Sequence, residues 1–337
     1  MFEFSVVPGA VVKAILSERP TQAIAEVEAA YLAHRKGLTV NPDSYFLRFP
    51  DSPRDRIIAL PAALSGGIDV AGIKWIASYP GNVDRGLPRA SAVLVLNDPK
   101  TGYPFACLEG AHISAVRTAA SAVLGAYWLN RRSRTIGSVA FVGAGVIARN
   151  ILDMFFADNW EFDQVFVHDT HGDSMASLYA HVRSSVDGRV PEVKTCDLDA
   201  ALRADLVVFA TNAGMPYVKE SVGFSSRQII LNISLRDLAP EIILNAFNVF
   251  DDVDHCMKAD TSPHLAEKLC GDRHFVDGTL AELISGEIDV DDSRLAVFSP
   301  FGMGILDLAI AKRVYEDART RGTALDVPNF FGETSRW

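Results

Sequence analysis

A chain of 337 residues with 49% hydrophobic and 22% charged side chains can build full-sized cores, and its length suggests two domains. Its net charge of -10 argues against nucleic acid or an anionic membrane surface as a partner, and still allows a locally basic pocket for an anionic substrate. Cys107, Cys196, Cys256 and Cys270 lack paired spacing and the N-terminus lacks the basic head and apolar run of a signal peptide, so a reducing cytoplasm is expected.

Pro8 opens a short helix to about Ser17. Thr21 reads as the N-cap of a helix that ends before Gly37, with Ile24, Val27, Tyr31 and Leu32 on one face. From Asn41 to Pro104 the pattern changes. Tyr45–Phe49, Arg56–Leu60, Val70–Ile76 and Ser91–Leu96 read as strands split by Pro/Gly/Asp loops at 50–55, 65–69, 80–89 and 97–104, a mostly antiparallel unit. A helix over Ile113–Leu129 bridges to the second half; its near-apolar run from Ala119 is too short to cross a bilayer.

The second half is organised by Ser138-Val-Ala-Phe-Val-Gly143-Ala-Gly145-Val146-Ile147-Ala148. A short apolar strand runs into a glycine turn and a helix, the pattern of a dinucleotide phosphate cradle. Gly143 permits the turn, Gly145 lets the backbone approach a pyrophosphate, and Ala148 lets the helix pack closely. Val146 and Ile147 begin the helix whose free N–H groups face the phosphate charge. The next strand, Gln164–His168, ends on Asp169, placed to bond an adenosine ribose. A carboxylate there repels a 2′-phosphate and no Arg or Lys follows in Thr170–Asp173, which favours NAD over NADP. Asp205–Thr211 and Gln228–Ser234 read as further parallel strands, and Thr211 and Ser234 at their ends join the cofactor site. One or two strands follow (Phe247–Val253, Leu295–Phe298), then a helix from Gly304 to about Arg321, stopped by Gly322. The expected fold is α/β: a Rossmann-type doubly wound parallel sheet over 131–303, and a mostly antiparallel α+β substrate domain over 1–130 joined by the C-terminal helix 304–337.

Four cations in the first half stand out. Lys74 sits in the apolar strand Val-Ala-Gly-Ile-Lys-Trp-Ile, where a lysine is either solvent-facing or functional; burial would lower its pKa and suit proton transfer. Arg117 is the only Lys, Arg, Asp or Glu between Glu109 and Arg131 and either clamps a carboxylate or bridges domains. Arg48 follows Tyr45-Phe-Leu, and Arg89 follows the 81–88 loop; each is a carboxylate contact or a surface residue. His255-Cys256, His264 and Cys270 fit no zinc spacing, so no metal is expected.

Gly72-Ile-Lys74-Trp, Tyr79-Pro-Gly-Asn82, Gly86–Asp98 and Val116-Arg117-Thr118, with the glycine motif and Phe298-Ser-Pro-Phe-Gly-Met-Gly-Ile-Leu-Asp-Leu308, resemble the ornithine cyclodeaminase/μ-crystallin family over nearly the whole chain. Asn41–Phe49, Ile233–Glu241, Asp251–Cys256 and Thr261–Leu265 are similar to one branch, the N-(2-amino-2-carboxyethyl)-L-glutamate dehydrogenases of 2,3-diaminopropionate biosynthesis in siderophore and peptide-antibiotic pathways. The resemblance implies NAD-dependent oxidation of the glutamate Cα–N bond and hydrolysis of the imine to 2-oxoglutarate and L-2,3-diaminopropionate. It implies that Lys74 transfers protons at the substrate, Arg117 clamps the α-carboxylate, Arg48 is a second carboxylate contact, and Thr118 lies next to the cofactor. It also implies a homodimer formed through the first domain.

There is one departure. Cyclodeaminases carry Gly-Gly-Asp after the strand matching Ile229–Ile233, and that Asp helps deamination and ring closure. Here the segment is Ser234-Leu235-Arg236-Asp237, with Leu235 at the Asp position. Either Asp237 takes the catalytic role from another register or the role is absent. Arg89, by its chemistry, is the candidate for a carboxylate that ornithine lacks, and Lys74 or Asp237 for activating water. Two other functions stay open: an ornithine cyclodeaminase, which releases proline and ammonia, and a non-catalytic dinucleotide-dependent binding protein of the μ-crystallin type.

Overall fold

Two eight-stranded sheets organise the described residues, one mixed and mostly antiparallel, the other wholly parallel. The computed structural model describes residues 3–185 and 191–336. Residues 1–117 and 303–337 form one unit, and residues 118–302 form the other.

In the first unit the strands lie in the order Leu325–Asp326, Ser5–Val7, Pro104–Glu109, Ala90–Asn97, Val70–Ser78, Ser52–Leu64, Thr39–Val40, and Tyr45–Phe49 also pairs with Ser52–Leu64. Among its described strands only Ser5–Val7 with Pro104–Glu109 is parallel. Val70, Lys74 and Ser78 are buried on one face of Val70–Ser78, because side chains alternate along a strand. The helix Gly304–Thr320 covers that face. Gly72 has no side chain because an added Cβ would come within 2.2 Å of the Val95 carbonyl oxygen and 3.1 Å of Leu308. On the opposite face Tyr45, Trp75 and Val93 stand in one row with Ala59 and are exposed.

The sequence places a loop at 50–55, but the strand there begins at Ser52. Thr21 precedes the helix Gln22–Arg35 as expected, yet its side chain makes no capping bond. The short strands Ser5–Val7 and Leu325–Asp326 and the strand Pro104–Glu109 have no counterpart among the sequence expectations.

The second unit's strands run in the order Glu192–Thr195, Glu161–His168, Thr135–Val142, Leu206–Phe209, Ile229–Asn232, Ala296–Ser299, Phe247–Phe250, Val276–Thr279. Four of them, Leu206–Phe209, Ile229–Asn232, Ala296–Ser299 and Phe247–Phe250, are buried throughout, as a parallel sheet covered on both faces requires. The chain reverses its direction of travel across the sheet between Thr135–Val142 and Leu206–Phe209. Such a switch point opens a crevice at the carboxyl ends of the strands. These strands are shorter than the sequence suggests, ending at Phe209 and Asn232, so Thr211 and Ser234 lie in the loops beyond them. No helix of the described residues is long and apolar enough to cross a membrane.

Candidate active site

The switch point in the second unit carries the glycine turn. Gly143 has φ +94°, and a Cβ there would sit 2.5 Å from the Ala210 carbonyl oxygen, so only glycine fits. At Gly145 an added Cβ would meet nothing within 4 Å, which leaves the outer side of the turn open. The helix Val146–Ala157 starts directly after it with no side-chain cap, so its first-turn N–H groups are offered to a ligand anion. Ala148 is buried against the sheet while Val146 is exposed. Asp169 is anchored beside the turn. Its Oδ2 accepts the Ala144 N–H at 2.7 Å and its Oδ1 accepts the His171 N–H at 2.8 Å. A carboxylate retains further lone pairs after two such bonds, enough for a ribose hydroxyl. The open cradle, the free helix start and the fixed acid fit a dinucleotide.

Asp237 lies deeper in the same unit. Its carboxylate is fully buried and accepts hydrogen bonds from Thr211 Oγ1 at 2.5 Å, from Tyr217 Oη at 3.0 Å, and from Ser234 Oγ. Thr211 Oγ1 also accepts the Ala213 N–H at 3.1 Å. Burial and the Asp237 charge push the Tyr217 phenol well above its ordinary pKa, so it stays a proton donor. Asp237 thus reaches any ligand only through a hydroxyl it holds. Leu235 is buried and has φ +70°, so the loop after Ile229–Asn232 turns an apolar side chain inward. Tyr217 was not among the sequence candidates, since nothing local marks a loop tyrosine as the partner of an acid twenty residues on.

The first unit gathers the proton-transfer group. Lys74 Nζ donates to Asp307 Oδ2 at 2.6 Å and to Ser114 Oγ at 3.2 Å. Arg117 Nε lies 3.4 Å from the other oxygen, Asp307 Oδ1, but neither atom has a hydrogen-bond partner among the described residues. Lys74 and Asp307 have side-chain exposures of 2% and 0%, so these charges are held in a dry interior. Burial lowers the Lys74 pKa to about 8; the Asp307 charge opposes the shift and the Arg117 charge adds to it. A lysine tuned this way is neutral in useful amounts near neutral pH and can accept a proton. Asp307 was missed in the sequence, although an acid within the mostly apolar run Gly304-Ile-Leu-Asp-Leu-Ala-Ile is the same kind of signal that marked Lys74.

The remaining arginines stand along the same face. Arg48 pairs in register with Arg56, Arg56 with Ser78, and Ser78 with Ala90, one row across four strands. Arg48 is exposed and stacks 5.1 Å over the Phe46 ring. Arg89 donates from Nη1 to Ser78 Oγ at 2.8 Å. Arg56, absent from the sequence candidates, is therefore a neighbour of both. Of the residues with metal-ligating side chains, Cys256 is buried against Asp251 and the Ser299 carbonyl, and His255 bonds its own helix cap Asp252. Asp251 in turn accepts the Phe301 and Gly302 N–H groups at 2.9 and 2.6 Å, which fixes the loop after Ala296–Ser299.

Comparison with known proteins adds to this geometry. The model of the ornithine cyclodeaminase/μ-crystallin family matches residues 10–322. N-((2S)-2-amino-2-carboxyethyl)-L-glutamate dehydrogenase of Staphylococcus aureus is 30% identical over 312 residues, 88% of this chain and 91% of that protein. An archaeal alanine dehydrogenase dimer with bound NAD superposes with a TM-score of 0.86 at 26% identity, covering 98% of this chain and all of that one. The Thermococcus litoralis Δ1-pyrroline-2-carboxylate reductase, solved with NADH and L-proline, shares the fold at a TM-score of 0.87 and 24% identity, covering 96% of this chain. Other relatives are named as further reductases and as a cyclodeaminase.

Proposed function

The chain belongs to the ornithine cyclodeaminase/μ-crystallin family, and on that premise we propose that it is an NAD-dependent oxidoreductase acting on an amino-acid C–N bond. Its substrate in this reading is N-(2-amino-2-carboxyethyl)-L-glutamate. The Cα–N bond is oxidised to an imine, and water splits the imine into 2-oxoglutarate and L-2,3-diaminopropionate for a siderophore or peptide-antibiotic pathway. The observation that carries the reading is the buried Lys74–Asp307 pair with Arg117 beside it, a proton acceptor set next to a carboxylate clamp.

The backbone of Gly143, Gly145, Val146 and Ile147 would hold the cofactor pyrophosphate, and Asp169 would hold a ribose. Thr118, Thr211 and Ser234 would complete that site. NAD, when bound, supplies the hydride acceptor for the substrate Cα–H. Neutral Lys74 takes the proton from the substrate's secondary amine, which must be uncharged before its Cα–H bond breaks. Asp307 then stabilises the ammonium so formed. Arg117 and Arg48 fix carboxylates, and Arg89 takes one that ornithine lacks; with several charges held, the reacting carbon has one orientation. Once it has released that proton to solvent, Lys74 takes one from the water that adds to the imine carbon and passes it to the departing nitrogen. Asp237 is a positioning residue that sets the hydroxyls of Thr211, Tyr217 and Ser234.

Leu235 at the acid position speaks against the cyclodeaminase alternative, since an apolar side chain moves no proton. The exposed row Tyr45, Trp75 and Val93 supports a homodimer through the first unit's sheet, because a soluble monomer rarely shows so apolar a face.

The test is a substrate panel. Incubated with NAD, the protein should build up NADH from N-(2-amino-2-carboxyethyl)-L-glutamate and not from L-alanine or L-ornithine. Proline and ammonia from ornithine, without net NADH, would establish the cyclodeaminase reading instead. Tight NADH binding with no turnover of any amino acid would establish the binding-protein reading.

A further inference from the structure

Arg48, Arg56 and Arg89 are three cations held close together without an acid. Among the described residues no carboxylate forms an ion pair with any of them; Arg89 has a hydroxyl, Ser78, and Arg48 an aromatic ring. Arg56 and Arg89 are both partly buried. Burial lowers the pKa of each, and a neighbouring arginine lowers it further, Arg48 for Arg56 and Arg56 for Arg89. Like charges gathered in a half-dry place are costly unless an anion joins them. Loops on a protein with ten more acids than bases have carboxylates to spare, yet none is placed here.

The row has a fixed relation to Lys74. Ser78 and Lys74 project from the same face of Val70–Ser78 and are four residues apart, about 13 Å along a strand. Arginine and lysine side chains of this length can converge on one extended molecule from the two ends of that interval.

We propose that Arg56 and Arg89, braced by Ser78, form a carboxylate subsite that reads the side-chain end of the substrate, distal to the carbon served by Lys74. The class of ligand is a 2-amino or 2-oxo acid with a second carboxylate at the far end of its chain. This rests on the amino-acid reading above and adds a specificity-determining residue, Arg56, that the motifs do not point to. Arginine's planar fork suits a carboxylate at each position, and two forks on one anion give discrimination that one would not.

The experiment measures binding, so that it stands apart from turnover. The protein loaded with NADH is titrated with 2-oxoglutarate and with 2-oxobutyrate, which share the oxo-acid end and differ in the distal carboxylate. Wild type should bind 2-oxoglutarate at least about tenfold more tightly, and Arg56→Gln and Arg89→Gln should each shrink that ratio to below about threefold. The ratio is internal to each variant, so loss of folded protein does not mimic the effect. Arg56→Lys and Arg89→Lys, which keep the charge, should retain part of the preference and serve if either Gln form fails to fold. An undiminished ratio in both Gln variants, or no preference in wild type, overturns the subsite. A preference lost in the variants, in a protein that never oxidises N-(2-amino-2-carboxyethyl)-L-glutamate, upholds the subsite and removes the proposed reaction.

Discussion

Lys74 Nζ and Asp307 Oδ2 lie 2.6 Å apart although 233 residues separate them in the chain. Each is a buried charge paired with the other, Arg117 also lies 3.4 Å from Asp307, and removing one partner of such a pair costs about 3–5 kcal/mol. A fold gains little net stability from a buried ion pair, so its presence in an otherwise apolar interior points to use.

The first prediction concerns pH. If neutral Lys74 is the base, kcat/KM for substrate oxidation rises with pH through a midpoint of about 8. Asp307→Asn removes the charge that favours the ammonium, so the midpoint should move to lower pH. Stability has a matching sign. Lys74 titrates lower in the folded protein than in the unfolded chain, where its pKa is about 10.4. The penalty for burying the ammonium is full below about 8 and is relieved as pH rises from there toward the unfolded value. Urea unfolding should therefore show this contribution growing over that window in wild type and absent in Lys74→Met. A rate midpoint unmoved by Asp307→Asn would remove Lys74 from proton transfer.

Arg117→Lys tests the clamp. Lysine keeps the charge and loses the fork. KM for the amino acid should rise about tenfold or more, the loss of one charged hydrogen bond, while the Kd for NADH changes by less than about threefold. Equal losses in both constants would instead mark Arg117 as structural.

Asp169→Ser tests the cofactor assignment. It removes the acceptor for the Ala144 N–H and for a ribose hydroxyl, and it removes the charge that repels a 2′-phosphate. NADH affinity should fall about tenfold or more, and the preference for NADH over NADPH should narrow. Fluorescence titration with the two cofactors reads both effects.

Trp75→Glu with Val93→Glu tests the proposed dimer. Both residues are exposed and lie side by side in register on the sheet face away from Lys74. Two like charges there should convert a dimer to monomers in sedimentation, with the unfolding midpoint of each monomer's second unit little changed. A wild-type monomer at the same concentration would contradict the dimer.

Local chemistry explains what the sequence made legible. The glycine turn, its strand and Asp169 lie within about thirty residues, and each has a steric or electrostatic reason that needs no partner elsewhere. Lys74 and Arg117 stood out because a charge in an apolar run is visible by itself. What escaped was relational. Asp307 gains its meaning from Lys74 across most of the chain. Arg56 sits beside Pro and Asp residues that read as a loop, and only the register of Tyr45–Phe49 on Ser52–Leu64 brings it opposite Arg48. Ser5–Val7 is too short to carry a period, and its parallel pairing with Pro104–Glu109 is a long-range choice. Asp237 was visible as an acid near the expected place, but its burial beneath three hydroxyls was not.

The most direct measurement is the product balance of one incubation with NAD and N-(2-amino-2-carboxyethyl)-L-glutamate, quenched and quantified. Oxidation followed by imine hydrolysis predicts NADH, 2-oxoglutarate and 2,3-diaminopropionate in equal amounts, with all three lost together in Lys74→Met. NADH formed without 2-oxoglutarate, or no NADH at all while the protein still binds the cofactor, would contradict it.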